Sequence, residues 1–112
     1  MGTYETPALA GLDNAISNPS SSRYLPDVAF RNKKNRTAAK NKIDVVIGMI
    51  DQGLYKQALE KLENDILQKT DGCAVSGTPD KNDWLIDCQY QTTIYNYVSD
   101  AIETLRNIIV NN

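Results

Sequence analysis

The sequence predicts an all-α fold: a small three-helix bundle in which an antiparallel hairpin packs on a long third helix, with one disulfide and an N-terminal extension. Three observations predict it. Apolar residues recur at spacings of three and four over long stretches, which gives each helix one buried face. Only the surroundings of Gly53 separate the first two stretches, and so short a connection forces the helices antiparallel. The helical pattern then breaks once, over residues 69 to 88 ("KTDGCAVSGTPDKNDWLIDC"), a segment holding both cysteines and the single tryptophan.

Residues 1–27 read as an N-terminal arm and linker, and residues 28–112 as the three-helix module. Within the arm, Thr6-Pro7 resembles an N-cap followed by proline at the first helical position. Ala8, Leu9, Leu12, Ala15 and Ile16 then make one apolar side before Asn18-Pro19 stops the helix. "NPSSSRYLP" has the composition of a solvated linker.

The first helix of the module starts near Asn32 and buries Ala39, Ile43, Val46, Ile47 and Ile50, with Gly53 as its stop. The second presents Tyr55, Ala58, Leu59, Leu62, Ile66 and Leu67. The third is expected to open near Asp80, with Asp80 and Asp83 at the positive end of its dipole. Its inner row runs Trp84, Cys88, Gln91, Tyr95, Val98, Ile102, Leu105 and Ile109, widened by Leu85, Ile94, Tyr97, Ala101 and Ile108. Gln91 alone in that inner row is polar.

Composition excludes more functions than it suggests. A 112-residue chain with formal charge −2 has no single-sign field to attract nucleic acid, and no apolar run approaches the roughly 20 residues that cross a bilayer. Histidine is absent, which removes the commonest general base, the usual partner of a nucleophilic Ser or Cys, and the usual metal ligand. The expectation is a protein that is not an enzyme. The opening Met1-Gly2-Thr3-Tyr4-Glu5-Thr6 matches the formal myristoylation pattern, a short pattern often matched by chance, and receives no role here.

The cysteine loop reads as a staple. Gly72, Gly77 and Pro79 make the segment flexible enough to bring Cys73 and Cys88 together, and an unpaired Cys73 in so polar a loop would be open to oxidation. Closing about 15 residues stabilises by about 3 kcal/mol in the chain-entropy model. Two cysteines without histidine fall short of the four ligands zinc takes. Calcium is the sharper alternative, because Asp71, Asp80, Asn82 and Asp83 offer hard oxygen ligands, yet "DKND" lacks the order of an EF-hand loop. Capping by Asp80 and Asp83 is preferred, and no cofactor is assigned.

Remaining features have plainer readings. Asn35-Arg36-Thr37 is a glycosylation sequon, and "RNKKNRTAAKNK" reads as the solvated face and first turns of a helix. Tyr95 and Tyr97 fall on the core stripe, which leaves Tyr90 as the exposed tyrosine. Glu60, Glu63 and Asp65 fall on the polar side of their helix.

The blocks "NKIDVVIGMIDQGLYKQALEKLENDILQKTDGC" and "GTPDKNDWLIDCQYQTTIYNYVSDAIETL" resemble small all-helical modules toward the C-termini of large secreted or cell-surface proteins of bacteria and archaea, the FIMAH-type domains among them. The resemblance spans about residues 28 to 109 and is most specific in "ALEKLENDILQKTDG" and "PDKNDWLIDC". It implies a non-catalytic accessory module, extracellular or on the cell surface, with a protein partner or neighbouring domain and no functional residues to transfer. "DQGLYKQALEKLENDIL" is also similar to one helix pair of a tetratricopeptide repeat, but no 34-residue period follows. The leading expectation is therefore an extracellular structural or interaction module. A calcium- or small-ligand-binding module using the 71–83 loop is the alternative, and an intracellular helical-hairpin adaptor the next.

Overall fold

A computed structural model describes residues 7–111. The amino-terminal hexapeptide with the myristoylation pattern, and the expected Thr6 cap, lie outside the described residues. Five α-helices follow one another: α1 (Pro7–Ser17), α2 (Lys33–Asp51), α3 (Tyr55–Lys61), the short α4 (Gly72–Ser76) and α5 (Cys88–Asn111). No strand forms among the described residues, and the expected all-α class holds. The finer three-helix arrangement does not describe it fully, because α1 and α4 join the packing.

The hairpin forms as its sequence demands. Asn32 caps α2 by accepting from Asn35 N while Asn35 Oδ1 accepts from Asn32 N, a reciprocal capping box. Gly53, at φ +77°, ends it: Gly53 N donates to Ile50 O at 3.0 Å and Leu54 N to Met49 O at 2.8 Å, the paired bonds of a Schellman stop. Helix α3 then continues into a π-turn (Leu62–Ile66) and a 3₁₀ turn (Leu67–Lys69). Ala39, Ile43, Val46 and Ile50 of α2 are buried against Ala58, Leu62 and Ile66 and against Ile94, Val98, Ala101, Ile102 and Leu105 of α5 in one core.

Residues 1–27 do not behave as a detached arm where they are described. Leu9, Leu12, Ala15 and Ile16 of α1 belong to the same core, and α1 packs on both α5 and α2. Gly11 makes the approach close: a Cβ there would sit 2.6 Å from Cε1 of Tyr97 on α5. The physical reason is arithmetic, since a stripe as wide as that of α5 leaves apolar surface beyond what the hairpin covers, and α1 removes it from water.

The expected linker is tied down as well. Leu25 is buried and its N–H donates to Ala15 O at 3.0 Å. Arg36, expected on a solvated face, instead donates to Ile16 O at 2.8 Å and Leu25 O at 2.6 Å, and pairs with Asp27 at 3.0 Å. Its guanidinium lies 4.3 Å from the Tyr24 ring centroid and 4.5 Å from that of Phe30. One side chain thus closes the C-terminus of α1, where free carbonyls favour a cation, and seats the linker on α2.

Candidate functional site

The segment between α3 and α5 carries the chemistry. Its cysteines are joined: Cys73 on α4 and Cys88 at the first turn of α5 form a disulfide with Cα atoms 5.6 Å apart, inside the range that a bridge requires. The expected staple is present, and it spans 15 residues of sequence.

Helix α5 opens at Cys88, not near Asp80, so Asp80 and Asp83 are not its caps. The residue that caps it is Asp87, whose Oδ1 accepts from Gln89 N at 2.9 Å. Residues 84–86 pair with residues 29–31 instead. Trp84 N donates to Lys69 O at 3.0 Å, Arg31 N to Trp84 O at 2.9 Å, and Ile86 N to Ala29 O at 3.0 Å, with Phe30 and Leu85 forming an antiparallel bridge. Those long-range bonds take the amides that a helix would have used, while Trp84 and Leu85 still reach the core.

Asp83 organises the turn between the cysteines. Its side chain is 1% exposed, and Oδ2 accepts from Gly72 N at 3.1 Å, Asp80 N at 2.9 Å and Gln91 Nε2 at 2.9 Å. Gln91, the polar residue in an otherwise apolar row, is fully buried. Its Nε2 also donates to Leu85 O at 3.0 Å, while its Oε1 accepts from Cys73 N at 2.7 Å. Gly72 is required here by space: a Cβ would fall on Asp83 Oδ2 and on the backbone nitrogen of Asp80. Gln91 had a visible signal in the sequence, a polar side chain on a buried stripe; Gly72 had none beyond being glycine.

Three of the four oxygen-ligand candidates converge. Asp71, Asp80 and Asp83 each bring a carboxylate oxygen within 4.8 Å of the other two, with Asp71 half-buried and Asp80 exposed. Asn82 stands exposed in the same turn, its N–H donating to Asp80 Oδ1 at 2.8 Å. Burial, and then the charges of Asp83 and Asp80, push the Asp71 carboxyl above the ordinary aspartate range.

Elsewhere the candidates are dispersed. Glu63 pairs with Arg106, and Asp65 accepts from Lys61 at 3.0 Å with Lys42 at 3.7 Å, while Glu60 faces solvent. Tyr90, expected to be exposed, is half-buried against the core, because it lies one helical turn before Ile94 on the buried face of α5. A cleft of about 130 Å³ between α1 and α2 is lined by Leu9, Asp13, Ile47 and Asp51. No described helix is long and apolar enough to cross a membrane. Comparison of the chain with protein-family models, curated proteins and solved structures finds no match.

Proposed function

We propose that this chain is a non-catalytic, disulfide-stapled helical module that serves as a structural or interaction domain of a larger secreted or cell-surface protein or assembly. The Cys73–Cys88 disulfide carries the reading. Both cysteines are only half-buried, so the bridge would be open to reduction in a thiol-rich cytosol and suits an oxidising compartment.

The loop's polar groups support the same reading, since Asp83 and Gln91 spend their hydrogen bonds on backbone groups and on each other, and Glu63 and Asp65 are committed to ion pairs. Val28 and Ile86 expose apolar side chains beside the paired 29–31 and 84–86 segments, offering an edge for a neighbouring domain. The resemblance of residues 28 to 109 to accessory modules of surface proteins points the same way.

The test is fractionation of the cells that make the protein, with alkylation before lysis and intact mass read without reductant. Recovery from the envelope or medium with both cysteines protected until reductant is added is the expected result. Recovery from the cytosol with both cysteines alkylated would overturn the reading.

A further inference from the structure

We infer that Asp71, Asp80 and Asp83 form a site for a calcium ion at the turn that the disulfide closes. Two independent observations carry it. The first is spacing: one oxygen from each of the three carboxylates lies within 4.8 Å of the others. Three oxygens no more than 4.8 Å apart share a centre about 2.8 Å or less from each, close to the roughly 2.3 to 2.6 Å of calcium–oxygen bonds, so all three can reach one ion with little movement.

The second is an unpaired buried atom. Asp83 Oδ2 is saturated by three donors, whereas Oδ1 of the same 1%-exposed side chain is buried and accepts no hydrogen bond. A buried carboxylate oxygen without a donor is costly, and a cation is the partner that removes the cost together with the mutual repulsion of three acids. None of the ion pairs among the described residues involves these three carboxylates. Arg31, which reaches this loop, donates to the backbone carbonyls of Asp83 at 3.1 Å and Asp80 at 2.7 Å and leaves their carboxylates alone.

The chemistry selects calcium. An all-oxygen set of carboxylates is a hard-cation site, and calcium accepts irregular geometry and completes its six to eight ligands with water, whereas magnesium demands a near-ideal octahedron. Three protein carboxylates on a turn with one exposed member place the affinity on the order of 0.1 to 1 mM, the range of extracellular modules.

The experiment uses the oxidised full chain, stripped with EDTA and dialysed, in calorimetric titration and thermal melting with calcium chloride. The expected result is one ion per chain and a Tm rise of about 5 to 10 °C at 10 mM calcium. The double variant Asp71→Asn, Asp80→Asn spares Asp83 and its three hydrogen bonds, so it keeps the fold and loses at least tenfold in affinity. Absence of heat and of any Tm shift at 10 mM calcium overturns the site. So does full binding by the double variant, or an equal response to 10 mM magnesium chloride. None of these outcomes depends on where the protein resides, so the site and the proposed function fail separately.

Discussion

Gln91 Nε2 donates to Asp83 Oδ2 over 2.9 Å with both side chains buried, and this bond adds to the Cys73 and Leu85 contacts of the same side chain in tying helix α5 to the turn that precedes it. Gln91→Leu leaves Cys73 N–H and Leu85 O without their partner and takes one donor from a buried carboxylate. The expected loss is about 2 to 4 kcal/mol, read by urea denaturation with the disulfide intact. Gly72→Ala attacks the same turn from the other side and should cost about 1 to 3 kcal/mol through crowding. A double variant that loses less than the sum of the two would show that they act on one unit.

Leu12→Ala tests whether α1 belongs to the core. Leu12 is 1% exposed and Leu62 of the hairpin is 0% exposed, so both truncations should cost about 2 to 5 kcal/mol. A Leu12 variant indistinguishable from wild type, beside a damaged Leu62 variant, would restore the view of residues 1–27 as a separate arm.

Arg36 should resist conservative replacement. Lysine keeps the charge but cannot donate to Ile16 O and Leu25 O at once while lying flat between Tyr24 and Phe30. Arg36→Lys is expected to lose about 1 to 2 kcal/mol, with hydrogen exchange accelerated over residues 17–26 before any other region. Uniform acceleration across the chain would mean that Arg36 does not specifically hold the linker.

Asp65 supplies a pH dependence with a definite sign. Its hydrogen bond to Lys61, assisted by the charges of Lys42 and Lys61, holds the carboxyl below the ordinary value of 3.8 in spite of partial burial. The folded state therefore binds this proton less readily than the unfolded one, so the contribution is present above about pH 4 and lost as pH falls through the depressed folded pKa. Asp65→Asn should cost about 0.5 kcal/mol at pH 7, reduced by added salt, and progressively less as pH falls through the depressed folded pKa. A difference that persists unchanged at pH 2 would assign the effect to packing.

The helices were legible where local chemistry and core packing agree. Asn32 starts α2, Gly53 stops it, and the apolar residues of α2 and α3 lie where their periodicity puts them. The start of α5 was not legible, because Asp80, Asp83, Trp84 and Cys88 satisfy every local rule for a helix N-terminus while Asp87 satisfies the same rules. The choice falls to tertiary bonds: Lys69 O and Ala29 O take the amides of Trp84 and Ile86. Arg36 was hidden for a related reason, since its partners are carbonyls up to 20 positions away that pattern cannot locate. Of the candidate site, the cysteine pair and the acidic residues were readable by type; the buried oxygen of Asp83 required the fold.

The link between Cys73 and Cys88 also fixes how the chain bears force. Pulled from both ends, the polypeptide can unravel its helices, but the stretch between the cysteines lies outside the load path, because tension crosses the sulfur bridge instead of the peptide backbone. A 15-residue segment drawn straight would add on the order of 45 Å to the contour, and that length stays locked until a reductant cuts the bridge. Asp80 and Asp83, between the cysteines, are thus shielded from mechanical extension even when the helices around them have given way, whereas Asp71, two residues before Cys73, stays in the load path.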